Sequence, residues 1–298
     1  MLISILSPVH NEELHIAEMI ASVQQQTHSD WEIVFVDDGS TDRTVDIIKG
    51  HSDADPRVRL GSHGKKLGKA AAYNVAFEHS TGAVVVLLAG DDRLPPNSLE
   101  MRAADMTGVG PDEKRLSAYK LRSFSEDARY DDMVLPRGHG AVSFSGGVLT
   151  MSRRLAEDLF PIDETLPSED IWLGYAAPAV ATEIVRTPEV ALEYRIHAGN
   201  SNPRQSSFSV MTRRMAERHE AWRLLYESEH LHLDGPSREK LLALWRAEEH
   251  RRARKYLALV RADGLTLPER LSLLAMAHPA PFAVRKVFYR ALSGRQGR

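Results

Sequence analysis

Through its first hundred residues this chain switches repeatedly between two hydrophobic periods. The runs 2–6 (L-I-S-I-L), Trp31–Val36, Arg57–Leu60 and 83–88 (A-V-V-V-L-L) read as strands. The stretch from Asn11, then Thr41–Lys49 and Lys69–His79, read as helices. In the first helix Leu14, Ala17, Ile20 and Val23 step by three. In the second, Val45 and Ile48 share a face, and Gly50 reads as a stop. The last strand is apolar on both faces, as in a parallel sheet covered by helices. Such alternation implies βαβ units. Sheets of this kind bind ligands at the carboxyl ends of their strands. The residues just after each strand therefore carry most of the functional information.

Three of those ends are acidic: S-P-V-H-N-E-E (7–13), V-D-D-G-S-T-D (36–42) and L-A-G-D-D-R-L-P-P-N (88–97). Helix capping by Asn11, Ser40 or Asp42 explains any one end taken singly. Three acidic ends at one sheet edge repel one another unless a cation or a donor-rich ligand joins them. Aspartate oxygens suit Mg²⁺ or Mn²⁺, ions that commonly arrive with a phosphate group.

Composition removes several classes. The net charge of −3 over 298 residues argues against a dedicated nucleic-acid binder. With no cysteine there is no disulfide framework, thiolate metal site or thiol nucleophile. The N-terminus lacks the basic region of a signal peptide, and no apolar stretch reaches the length of a membrane span. A cytoplasmic protein is the expectation. Beyond residue 100, Leu116–Phe124 reads as a strand, Ser143–Thr150 as a Gly-rich turn leading to a helix at Ser152, and Ala181–Ile196 as a strand around Pro188. From Ser207 the chain is helical, which divides it into domains 1–205 and 206–298. Phe282, Val284, Val287, Phe288 and Leu292 alternate with Arg285, Lys286, Arg290, Arg295 and Arg298. That basic amphipathic pattern suits an anionic membrane surface, and with it peripheral attachment at the inner membrane face.

Taken together, P-V-H-N-E-E, D-D-G-S-T-D and G-D-D resemble the family 2 glycosyltransferases, across roughly residues 2–200. The resemblance implies an α/β GT-A fold: a Rossmann-like, mixed sheet flanked by helices, here with a C-terminal helical extension. It implies that Pro8, Asn11 and Glu12 border the nucleotide base and ribose, and that Asp38 hydrogen-bonds the base. Asp91 would meet the ribose and Asp92 the Mg²⁺ or Mn²⁺. The family often shows D-A-D-D, whereas this chain has Ala89-Gly90-Asp91-Asp92. G-K-K-L-G-K-A-A-A-Y-N (64–74) is similar to a further family segment and implies a diphosphate contact for Lys69. A solvated lysine at a helix start is the alternative. A P-loop is excluded by His63 and Ala70.

On the acceptor side, Asp170 in L-P-S-E-D-I-W-L-G (166–174) stands where the family places its general base, with Glu169 orienting groups around the acceptor. Capping by Ser168 or Asp170 is the plainer reading. Trp172 either stacks on an acceptor sugar or packs. Ser145-Gly146-Gly147 matches the acceptor-side loop, or is a strand turn. Y-R-I-H-A-G-N-S-N (194–202) implies that Arg195 neutralises phosphate charge and that His197 reaches the metal or the diphosphate. The polar stretch after it reads as a lid. The expected reaction is inverting transfer from a nucleotide-sugar, UDP favoured, to a saccharide or lipid-linked hydroxyl in surface polysaccharide or glycan synthesis. A sugar nucleotidyltransferase and a non-catalytic nucleotide-sugar binder are the alternatives. A dehydrogenase is disfavoured because no G-x-G-x-x-G follows the first strand.

Overall fold

The computed structural model describes residues 1–62, 64–128, 130–197 and 207–284. It divides into two compact units: Met1–Ser125 with Asp132–Ile196, and Glu126–Asp131 with His197–Arg298. The boundary expected at 205/206, the lid after residue 201 and the amphipathic segment beyond Val284 lie outside the described residues.

The first unit is built on one mixed sheet. Strands β1 (Ile3–Val9), β2 (Trp31–Asp37), β3 (Val58–Ser62) and β4 (Val84–Leu87) lie parallel in the order β3-β2-β1-β4. Every residue of β1, β2 and β4 is buried, which explains why β4 is wholly apolar and β1 and β2 are mainly so. Helices α1 (Ile16–Gln24), α2 (Thr44–Ala54), α3 (Lys69–Glu78) and α4 (Ser98–Asp105) connect and follow them. Because β1 pairs with β2 in register from Ile3↔Trp31 to Val9↔Asp37, the two acidic strand ends emerge side by side.

Beyond β4 the chain adds β5 (Arg115–Phe124), the short β6 (Val134–Leu135), β7 (Leu149–Ser152), α5 (Arg153–Leu159), α6 (Asp170–Val180) and β8 (Glu183–Arg195). Strand β7 inserts antiparallel between β4 and β5, and β8 runs parallel to β5. The sheet is mixed, as expected. Four-residue β7 was not anticipated as a strand, since its Gly-rich approach hides it. Ser152 ends β7 and caps α5 by accepting from the Leu155 N–H.

The fully buried Arg102 of α4 fixes this half. Its guanidinium donates to the carbonyls of Leu149 (2.8 Å) and Gly147 (2.9 Å) and to Thr150 Oγ1 (2.8 Å). A buried cation is tolerated because its donors are matched by oxygens.

Two helix expectations need correction. Helix α1 begins at Ile16 and buries Ile16, Met19, Ile20 and Val23, while Leu14 is 82% exposed. The N–H groups of Asn11, Glu12 and Glu13 bond to side chains of the next loop, and residues 13–15 form only a turn, closed by the Ile16 N–H on the Glu12 carbonyl (2.9 Å), before the helix starts. Helix α2 runs through Gly50 to Ala54. Gly50 keeps helical backbone geometry at a cost of about 1 kcal/mol relative to Ala.

The second unit is helical: α7 (Phe208–Glu227), α8 (Gly235–Arg252), α9 (Tyr256–Val260) and α10 (Leu267–Ala275). Ser207 and Asp234 cap α7 and α8, and Thr266 with Glu269 forms a capping box on α10. Ala221, Trp222, Leu225, Leu241 and Leu244 are buried here. Inside it, Glu248 takes two bonds from Arg251 (2.6 and 2.7 Å) and one contact from His219 Nδ1 (3.0 Å). Burial holds His219 below the usual imidazole range, although Glu248 pulls the other way.

Candidate active site

The loops after β1 and β2 are stitched together by the residues that suggested capping. Asn11 sits at φ 56°, and its Oδ1 accepts from the Thr41 N–H (2.8 Å). The Asn11 N–H donates to Ser40 Oγ (2.9 Å), that of Glu12 to Thr44 Oγ1 (2.7 Å) and that of Glu13 to Asp42 Oδ2 (3.1 Å). Neither α1 nor α2 has a side-chain cap at its N-cap residue. The hydroxyls and carboxylates of D-G-S-T-D therefore serve the neighbouring loop, while Asp42 Oδ1 also accepts from the Thr44 N–H (3.0 Å) at the start of α2.

The pair Asp37-Asp38 holds the loop leading into α3. Asp37 accepts from the Ser40 N–H through both oxygens (3.1 and 3.2 Å) and from Gly64 (3.3 Å). Asp38 Oδ1 accepts from the Gly68 N–H at 2.8 Å and from the Leu67 N–H, while Lys66 Nζ lies 3.4 Å from Oδ2. Gly39, at φ 78°, lets the loop approach: a Cβ there would stand 3.0 Å from the Lys66 nitrogen. Pro8 is buried within β1 opposite Val36.

After β4, Asp92 is nearly buried and its Oδ1 accepts from the Arg195 backbone N–H (2.9 Å). Burial, with Asp91 beside it, holds its carboxyl well above the usual range. Arg195 Nε donates to the Asp91 carbonyl (2.8 Å), and its Nη2 reaches Glu18 on α1 (2.5 Å). Arg93 also pairs with Glu18 (2.6 Å), and both guanidiniums lie over the Phe124 ring, at 4.0 and 4.3 Å. Arg195 thus braces the end of β8 against the Asp-Asp turn. Gly90 leaves room for Glu12, whose Cγ would be 2.9 Å from an added Cβ. Burial pushes Glu12 up to about 8, with Asp91 and Asp42 adding to it.

The Glu169-Asp170 pair opens α6. Glu169 is 3% exposed; its Oε1 accepts from Lys69 Nζ (3.1 Å) and its Oε2 has no hydrogen-bond partner among the described residues. Gly146 lies against Glu169, leaving 3.3 Å from a Cβ position to Oε1. Burial raises the Glu169 carboxyl; Lys69 opposes this and Asp170 adds to it. Burial pulls the Lys69 ammonium down, but Glu169, Tyr73 and Asp170 outweigh it and leave Lys69 well above its ordinary value. Trp172 is buried and donates to the Leu159 carbonyl (2.9 Å), which settles its alternatives in favour of packing.

Two tyrosines tie these groups into one site. Burial pushes the Tyr194 hydroxyl up to about 12, with Asp92, Asp91 and Asp170 adding. Tyr73 is raised by burial, then by Glu169, with Asp170 and Asp92 contributing. The β4 end, the α3 start and the α6 start therefore share one electrostatic environment. Asp91, Asp92, Lys69, Glu169 and Asp170 converge there. Tyr73, Glu18 and Gly90 were not singled out in the sequence. Tyr73 had a signal, since it falls one turn after Lys69. His197 belongs to the second unit, where it opens the segment His197–Arg298.

Residues 4–111 match the model of glycosyl transferase family 2. Through this segment the chain is similar to the glycosyl transferases of family 2. An uncharacterized glycosyltransferase of Haemophilus influenzae is 37% identical over 33% of this chain and 40% of its own length. A UDP-Glc:alpha-D-GlcNAc-diphosphoundecaprenol beta-1,3-glucosyltransferase, WfgD, of Escherichia coli is 35% identical over 35% of this chain and 41% of its own. The matched region is thus under half of either relative. Among solved structures, S. aureus TarS 1–349 in complex with UDP-GlcNAc covers 99% of this chain and 88% of its own, at TM-score 0.60 and 17% identity. The mannosyltransferase PcManGT from Pyrobaculum calidifontis, in complex with GDP-Man and Mn²⁺, covers 96% and 87% at TM-score 0.57 and 18% identity. The fold of this chain is that of the GT-A glycosyltransferases.

Proposed function

We propose that this chain transfers a sugar, with inversion, from a nucleotide-diphospho-sugar to a hydroxyl of a saccharide or lipid-linked acceptor in surface glycan synthesis. The observation that carries the reading is the Lys69–Glu169 contact (3.1 Å) between the starts of α3 and α6, with Asp92 and Asp170 both near Tyr73 and Tyr194. It draws a strand-end Asp pair suited to the donor and a helix-start carboxylate suited to the acceptor into one site. UDP is the favoured nucleotide, in line with the UDP-GlcNAc complex of TarS and the printed activity of WfgD.

In this reading Asp170 accepts the proton of the acceptor hydroxyl. The hydroxyl oxygen bonds to the anomeric carbon from the face opposite the nucleotide, and the carbon–oxygen bond to the diphosphate breaks. Configuration inverts. Glu169, held by Lys69, presents its unpartnered Oε2 to a sugar hydroxyl. Lys69 lies at the start of α3, where backbone N–H groups and a cation favour a diphosphate. Pro8, Asn11, Glu12 and Asp38 border the base and ribose. Asp38 would meet the base through Oδ2, since Oδ1 is taken by the α3 loop.

Among the described residues no three His, Asp or Glu side chains assemble a metal cage. The Asp91-Asp92 pair nevertheless fits Mg²⁺ or Mn²⁺, because buried Asp92 and half-buried Asp91 repel one another and donor phosphates supply further oxygens. When bound there, the cation would offset charge on the departing diphosphate. For His197 as a further ligand, and for Arg195 as a phosphate contact, the reading rests on the sequence motif.

The test is a thermal-shift screen of nucleotide-sugars with and without Mn²⁺, followed by a transfer or hydrolysis assay with the best donor. Selective stabilisation by a UDP-sugar and release of UDP are expected. Binding without turnover in the presence of saccharide acceptors would turn the reading toward a non-catalytic binder.

A further inference from the structure

The second unit carries a surface that glycosyl transfer does not explain. Eight large apolar side chains are strongly exposed among the described residues, and six of them fall between residues 256 and 284. They are Tyr256, Leu257, Val260, Leu267, Leu271 and Val284, with Leu257 at 72% and Leu267 at 65% exposure. On α9, Tyr256 and Val260 are four apart, with Leu257 between them. On α10, Leu267 and Leu271 are four apart. The buried residues of these helices are Leu259 and Leu273. Helix α9 packs against α10, and Tyr256 meets His278 edge-on at 6.4 Å, so these elements form one local structure. Scattered exposed leucines need no explanation, but a cluster of them does.

The charge around this cluster is mainly positive, with Asp263 and Glu269 as its two acids. Arg252, Arg254, Lys255 and Arg261 are all exposed. Residues 252–298 hold ten Lys or Arg against two Asp or Glu, in a chain whose formal net charge is −3. No described helix is long and apolar enough to cross a membrane. The surface must therefore satisfy apolar side chains and cations together.

We propose that α9, α10 and the segment to Val284 dock on the surface of an anionic lipid bilayer. The apolar side chains enter the headgroup boundary, and Arg252, Arg254, Lys255 and Arg261 meet lipid phosphates. A second copy of this chain fits less well. A self-complementary contact would bring the same cations face to face. The proposal is independent of the transferase reading, since it concerns attachment alone.

The experiment is co-sedimentation of the full chain with phosphatidylcholine vesicles, with and without phosphatidylglycerol. Binding is expected to need phosphatidylglycerol and to be released by salt. Each Lys or Arg near an anionic surface contributes about 1 kcal/mol, so Arg254→Ala with Lys255→Ala should weaken binding about thirtyfold. Leu257→Gln with Leu271→Gln should weaken it while leaving the melting temperature unchanged, because both side chains are exposed. Absence of binding at low salt would overturn the proposal, as would equal binding by both double variants. Loss of binding only on Arg285→Ala with Lys286→Ala would overturn it by moving attachment to the last residues. Sedimentation equilibrium supplies the remaining check. Self-association that the leucine pair abolishes, without vesicle binding, would assign the face to a second copy.

Discussion

Lys69 Nζ lies 3.1 Å from Glu169 Oε1, joining the first residue of α3 to the residue that precedes α6, one hundred positions along the chain. Glu169 is nearly buried and Lys69 about a third exposed. The pair sets the distance between the proposed diphosphate side and the proposed acceptor side. Lys69→Met should leave Glu169 without its counter-charge and lower both stability and turnover. Glu169→Gln in the same chain should restore stability but not turnover. Denaturant melts of the two single variants and the double should give a coupling of about 0.5–3 kcal/mol. Additive effects would deny the pair a structural role.

Asp170 tests the chemistry separately from binding. Asp170→Asn keeps the size of the side chain and removes the base. Turnover should fall by about 10²–10⁴-fold, the usual contribution of a general base. Donor affinity, read by thermal shift, should not change. Equal loss of both would place Asp170 in donor binding.

Gly39 is the tightest backbone approach in the D-D-G-S-T-D turn. A Cβ there meets the Lys66 backbone nitrogen at 3.0 Å, and the residue needs φ 78°. Gly39→Ala should cost about 1–2 kcal/mol from the left-handed conformation alone. It should also displace the 64–68 loop from Asp38, so donor affinity should drop along with the melting temperature. Gly50→Ala, where an added Cβ meets nothing within 4 Å, should stabilise the protein.

Glu12 gives a pH dependence with a defined sign. Its carboxyl is raised from 4.5 to about 8, chiefly by burial. A raised acid binds its proton more tightly in the folded state. Its stabilising contribution is therefore complete below about pH 4.5 and is lost as pH rises through about 8. Glu12→Gln should match the wild type in melting temperature at pH 4 and exceed it at pH 9, both without divalent cation. A constant difference across that range would mean that Glu12 titrates normally.

The Glu248–Arg251 pair should control the second unit. Both residues are almost fully buried, and two hydrogen bonds join them. Glu248→Ala strands a buried guanidinium and should cost about 3–5 kcal/mol. Glu248→Ala with Arg251→Met should cost less. Circular dichroism melts of the three variants decide this.

The parallel strands β1 to β4 and their order of appearance were legible from the sequence, because unbroken apolar runs such as V-V-V-L have no other home than a covered sheet. The helix starts at Lys69, Ser152 and Ser207 were legible for a similar reason: each is a local signal. The first turn after Asn11 was misread. Its period looked helical, but its N–H groups bond to residues 40–44, across a distance that periodicity cannot register.

The acidic strand ends and their resemblance to a known family were set by the sequence, since strand direction and residue identity are local properties. Only the tertiary structure decided which of those carboxylates are already engaged. Asp37 and Asp42 bind neighbouring backbone, as the Asn11 amide does, and Asp38 holds the approach to α3 through one oxygen. Glu12, Asp92 and Glu169 are the acids raised chiefly by burial, Asp92 beside Asp91 and under the Arg195 N–H, and Glu169 against Lys69. That division follows from hydrogen bonds and burial between residues thirty to one hundred positions apart. Burial and hydrogen bonding depend on which atoms meet in space, and a linear pattern of residue types does not contain that.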